Sequence, residues 1–232
     1  MRIFDKKDKM VTLIRTNYHL LPVINRFGIR LGFKDKTIEE ICDQHKISSD
    51  FFLAIVNTFH NEDYFPEEEL LSFSPHLIVR YLKRTHQYYI NYILPKMESL
   101  LEQLNNDCSP NCKELKIIDA FYKRYKDELL NHINDEETRV FPYVVELINN
   151  PRSMDPNFTI TEFEKEHSNV EIQLEDLKNL IIKYIEPVYD ENICNEFLIT
   201  LFRFEADIKD HARIEDAILV PLAIAIEDKY RG

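Results

Sequence analysis

Four long stretches of this sequence repeat apolar residues every three or four positions, and near its middle each one admits histidine or glutamate instead. The first runs Ile78, Leu82, His86, Tyr89, Ile93, Met97, Leu100, Leu104, and the second Ile118, Phe121, Tyr125, Leu129, His132, Glu136, Val140, Tyr143, Leu147. The third is Ile160, Phe163, His167, Val170, Leu174, Leu177, Ile181, Tyr184, and the fourth Phe197, Leu201, Phe204, Ile208, His211, Glu215, Ile218, Leu222. Such a step marks a helix with one buried face. Four of them joined by short connections predict an all-α, up-down-up-down four-helix bundle.

The interruptions carry the chemistry. His86, His132, Glu136, His167, His211 and Glu215 stand where the pattern calls for apolar side chains. Burying ionisable groups is expensive unless each is paired or coordinated. A single histidine there would be read as a core residue satisfied by a hydrogen bond; six such groups point to coordination. Their spacing agrees. The midpoint of His86 and His132 falls at position 109, inside the turn-like NNDCSPNC segment. The midpoint of His132 and His167 falls at Asn149–Asn150, and that of His167 and His211 at Tyr189, both in breaks of the helical pattern. Antiparallel hairpins therefore bring all four histidines to one level. Glu136 and Glu215 lie one helical turn after His132 and His211 on the same faces. The pattern H-x3-E-x5-P recurs as His132/Glu136/Pro142 and His211/Glu215/Pro221, and each proline is expected to cost a helical hydrogen bond and bend its helix.

Six ligands are too many for a tetrahedral structural zinc, and no cysteine joins the set. Imidazole with carboxylate suits iron or manganese. Two glutamates from opposing helices can each bridge two metals while the histidines cap them in pairs, leaving an open position on each. Which histidines share a metal stays open. His76 lies about 80° away from the His86 face, and His19, His45 and His60 fall before the long helices; all four read as ordinary.

Composition narrows the class further. Only 3 glycines and 10 prolines in 232 residues disfavour an all-β fold. A formal charge of −12 excludes a nucleic-acid or anionic-membrane footprint. No apolar run approaches the ~20 residues of a membrane span. The polar start, Met1 to Asp8, is not a signal peptide, and four cysteines (Cys42, Cys108, Cys112, Cys194) make no disulfide framework, so a cytoplasmic protein is expected. Residues 1–62 read as a small helical domain, with Thr37 and Glu40 forming a capping box and Ser49 starting a further helix. An acidic, Pro/Ser-rich linker follows over 63–74, and the metal-binding domain covers 75–232.

The residues around His86, the stretch HINDEE (132–137) with Phe141-Pro142, Glu166-His167, and HARIED (211–216) with Val220-Pro221 closely resemble the haemerythrin-like (HHE cation-binding) superfamily. The four-histidine, two-glutamate set resembles its "repair of iron centres" branch. The stretch TLIRTNYHLLPVINRFGIRLGF followed by KTIEEIC is similar to that branch's N-terminal domain. The resemblance covers residues 10–225. It implies two non-haem iron ions, with His86, His132, His167 and His211 as terminal ligands and Glu136 and Glu215 as bridges. It implies a stress-response role, protecting or repairing iron–sulfur clusters damaged by nitric oxide or oxidants. Partners would be NO, O2 or peroxide and damaged iron–sulfur proteins. The N-terminal domain would serve packing, homodimer formation or docking to a client. In that branch an adjacent cysteine pair usually follows the Phe-Gly-Ile stretch; here Phe27-Gly28-Ile29 leads to no cysteine before Cys42, and Cys108 with Cys112 read as incidental loop thiols. The alternatives are a carrier or sensor of O2 or NO without turnover, and a ferroxidase- or peroxidase-like enzyme. The last fits worst, since ferritin-like sites use more carboxylates.

Overall fold

The computed structural model describes residues 2–107, 113–150, 160, 168–185 and 189–231. The chain opens with α1 (Met10–Thr16), α2 (Leu20–Arg26), α3 (Ile38–His45) and α4 (Ser49–His60). The predicted capping box is present: the Glu40 amide donates to the Thr37 hydroxyl at 3.2 Å, and the Thr37 amide to the Glu40 carboxylate at 2.7 Å. On α4 the cap is Ser48, one residue earlier than the sequence suggested, accepting from the Phe51 amide at 3.3 Å. Gly28 follows α2 with φ of +78°, a conformation L side chains avoid, and so turns the chain sharply there. The acidic segment after α4 is not wholly irregular. It contains α5 (Glu67–Ser72), which buries Leu70.

Long helices follow. The first passes from α6 (Pro75–Tyr88) through a π-helical turn, π1 (Tyr89–Ile93), into α7 (Leu94–Asp107). The second is α8 (Lys113–Asp135), π2 (Glu136–Val140) and α9 (Phe141–Asn149). The third is α10 (Ser168–Tyr184); the fourth is α11 (Glu191–Ile214), π3 (Glu215–Leu219) and α12 (Val220–Arg231). Every member of the first stripe is buried. In the second, Phe121, His132 and Tyr143 are half-buried while the rest are buried. In the third, Leu174, Leu177 and Ile181 are buried, but Tyr184 ends its helix and is exposed; Phe163, His167 and the Val170 side chain lie outside the described residues. Helix α7 packs on α8 and α11, and α10 packs on the same two, closing a ring. No helix among the described residues is long and apolar enough to cross a membrane.

Prolines place the π-turns. Pro95, Pro142 and Pro221 each stand two positions beyond the end of a π segment. Proline lacks an amide hydrogen and its ring clashes with the carbonyl one turn back, so an α-turn leading into it is penalised. Widening that turn relieves the clash without breaking the helix, and such π-bulges often mark functional sites.

The core divides in two. One apolar cluster joins the N-terminal helices to Ile78–Leu82, Val140–Leu147 and Ile214–Ala223. The other fills the space between α7, α8, α10 and α11, from Tyr89 to Leu104, Leu115 to Ile133, Leu174 to Ile181 and Cys194 to Ile208. His86, Glu136 and His211 fall between the two clusters on their helices, and Glu215 lies just inside the first, next to Ile214.

Candidate metal centre

Two of the π-turns begin on a glutamate. Glu136 is the first residue of π2 and Glu215 the first of π3, so the wide turns present these carboxylates to the bundle interior. The third π-turn begins on Tyr89, which stands the same six positions before its proline as Glu136 and Glu215 do before theirs. Tyr89 thus takes the corresponding place on the first helix, with its ring set edge-on to His211 at 5.8 Å. The sequence reading treated it as an ordinary stripe residue, though the spacing to Pro95 was visible.

His86, Glu136, His211 and Glu215 are all buried, and each offers one ligand atom within 4.8 Å of the others. His86 Nε2 lies 3.0 Å from His211 Nε2 and 3.1 Å from Glu136 Oε2. The other Glu136 oxygen, Oε1, lies 3.1 Å from His132 Nε2. His211 Nε2 is 3.1 Å from Glu215 Oε1. One carboxylate therefore faces histidines of two helices. His132 is half-buried at the side of this group. His167 lies outside the described residues.

These atoms suit a metal ion. Two imidazole nitrogens turned toward each other and toward two carboxylates, all away from water, form a converging set of lone pairs with little other use in a core. Burial lowers the basicity of His86, but its hydrogen bonds to Glu136 and Glu137 outweigh that and hold its pKa up at about 9. His86, His132, Glu136, His211 and Glu215 themselves line a cavity of about 20 Å³, together with Tyr89, Leu129, Ile133, Ile208 and Ala212. That volume admits one water-sized molecule, and the wall is mostly apolar.

The remaining candidates stay apart. His60 is buried in the N-terminal region, with Nδ1 3.2 Å from the Asn17 side-chain nitrogen and its ring against Phe4. His19, His45 and His76 are exposed. Cys42 is buried; desolvation first, and the Asp43 charge next, push its thiol up to about 12, and burial also raises that of Cys194. Neither is set up as a nucleophile. Cys108 and Cys112 lie outside the described residues. The family model of the hemerythrin HHE cation binding domain matches residues 77–223, a span holding all six predicted ligands. No curated protein matches the chain.

Proposed function

This chain belongs to the hemerythrin HHE cation-binding domain family, and from that premise we propose that it is a di-iron protein serving the repair of iron–sulfur clusters under nitrosative or oxidative stress. His86, His132, His167 and His211 would be the terminal ligands, with Glu136 and Glu215 as bridges. One observation carries the reading: four buried donors from three helices meet within 4.8 Å. The ring of packing among α7, α8, α10 and α11 supports the up-down-up-down bundle that such a centre needs. In this reading residues 75–232 form the metal domain, 1–62 the module packed on its end, and 63–74 the connection.

When bound, iron supplies a redox-active cation with an open position for a small ligand. The chain's own residues do the rest. Leu129, Ile133, Ile208 and Ala212 give the cavity its apolar wall. Glu136 and Glu215 balance cationic charge that would otherwise be uncompensated in the core. The cavity is small and mostly apolar, which favours a small ligand such as NO or O2. Damaged clusters would be served by iron donated as cargo or by removal of the damaging molecule, in the cytoplasm and without nucleic acid or membrane as partner. Because Cys42 and Cys194 are buried with raised pKa values, the repair would not run through either thiol.

The small cavity equally suits a second reading, a carrier or sensor of NO or O2. Anaerobic purification, metal analysis and titration with both gases, followed by incubation with a nitrosylated iron–sulfur enzyme, separates the two. The repair reading expects about two irons per chain, the near-ultraviolet absorption of an oxo-bridged diferric centre in air, and recovery of the damaged enzyme. Reversible gas binding without recovery would favour the carrier. One stoichiometric zinc and no iron would sink both.

A further inference from the structure

His86 is held on three sides, and one of the three is a carboxylate outside the ligand set. Its Nε2 faces Glu136 and His211, at 3.1 and 3.0 Å. Its ring stacks on Phe141 at 5.4 Å between centroids and 11° between planes. Its far nitrogen, Nδ1, lies 3.1 Å from Glu137 Oε1. The second oxygen of Glu137 is 3.1 Å from Lys83 Nζ, one turn before His86 on the same helix. Glu137 thus reaches from π2 across to α6 and grips that helix at two points. An imidazole that presents Nε2 to a cation must carry its proton on Nδ1, and a carboxylate acceptor there fixes both the tautomer and the ring plane.

The other buried histidine of the group has no such support. His211 Nδ1 is buried and has no hydrogen-bond partner among the described residues. The two histidines are therefore held unequally, and the difference traces to Glu137.

We propose that Glu137 is a positioning residue of the metal centre: through the Nδ1–H of His86, and steadied by Lys83, it fixes the His86 tautomer and strengthens metal binding on the His86 side. The inference rests on the reading of His86 as a metal ligand, and the test separates the two. Wild-type chain and the variants Glu137→Ala, Glu137→Gln, Lys83→Met and His86→Ala would each be titrated with cobalt(II) against a competing chelator, and dissociation rates measured. Loss of a carboxylate behind a ligating histidine typically weakens metal binding by about 10–100-fold, and that loss is expected for Glu137→Ala. Glu137→Gln keeps an oxygen acceptor for the Nδ1–H but loses the charge, so it should restore part of the affinity; Lys83→Met should fall between Gln and wild type.

A merely structural role would not move a second readout. In the cobalt-loaded protein the His86 Nδ1–H should give a paramagnetically shifted, solvent-exchangeable proton resonance. Its exchange with water should quicken in Glu137→Ala and stay slow in Glu137→Gln. Unchanged affinity, dissociation rate and exchange in both Glu137 variants, alongside weak binding by His86→Ala, would overturn the role of Glu137 and leave the metal centre standing. Equal binding by His86→Ala and wild type, or none by wild type, would overturn the ligand assignment and this inference with it.

Discussion

Glu136 offers one carboxylate oxygen to His86 and the other to His132, and it is wholly buried. Replacing it removes a charge that, among the described residues, lies within 3.1 Å of both histidines. On the di-iron proposal, Glu136→Ala and Glu215→Ala are each expected to lower iron from about two per chain to one or none. In the iron-replete protein each should also cost several kcal/mol, because cationic groups in a dry core lose their counter-charge. Metal analysis with thermal melts checks both; full iron content and unchanged melting would mean the residue is no bridge. Four of the stripe residues that the sequence singles out, His86, Glu136, His211 and Glu215, are buried within 4.8 Å of one another, because a histidine or glutamate on an apolar stripe is readable from periodicity alone; His167 lies outside the described residues. Glu137 was not legible in the same way. It lies off the stripe next to Glu136, and its partner is 51 positions away in a contact that only the packing of α6 against π2 creates.

The helices themselves were equally plain, while their internal register was not. Prolines after His132 and His211 signalled disturbed helices, and a bend was the natural expectation. The structure shows a widened turn ahead of the proline in three helices, with helix on both sides of it. Whether a proline is met by such a turn depends on the packed neighbours, which no local pattern reveals. Pro142→Ala and Pro221→Ala test the link. Restoring the amide hydrogen lets the wide turn tighten into an α-turn, which should raise the stability of the metal-free chain by up to about 3 kcal/mol. The same change would rotate Glu136 or Glu215 away from its histidine, so iron affinity should fall. Melts with and without iron, beside chelator competition, would show the two effects with opposite signs. Identical behaviour to wild type would mean the prolines do not set the turns.

On the scale of the whole molecule, the N-terminal helices share one apolar cluster with the ends of three long helices. Arg26 of α2 is buried and meets Asp207 of α11 at 2.5 Å, one turn before His211. Asp207 and its neighbours outweigh desolvation and hold the guanidinium charged. A cation sent from one part of the chain into the wall of the other makes that interface specific. Arg26→Met should cost up to about 3 kcal/mol by stranding a partly buried carboxylate, and Arg26→Met with Asp207→Leu should recover much of it. Additive losses in the double variant would show that the pair is not coupled. Composition and spacing suggested two regions joined by a linker, and nothing in them could disclose this pairing across 181 positions.

His86, Glu136 and His211 lie between the two apolar clusters on their helices. A metal ion held there would tie together helices on which both clusters are built. Ligands that bind only the folded state stabilise it by mass action. Backbone amides flanking His86, Glu136, His211 and Glu215 should therefore exchange with deuterium markedly faster without iron, while amides deep in either cluster change less. Uniform slowing throughout would mean that the chain opens only as one unit. If the contrast holds, iron supply decides whether the two halves stay together, and a protease meeting the starved protein would find its point of entry at the same place where the chemistry is done.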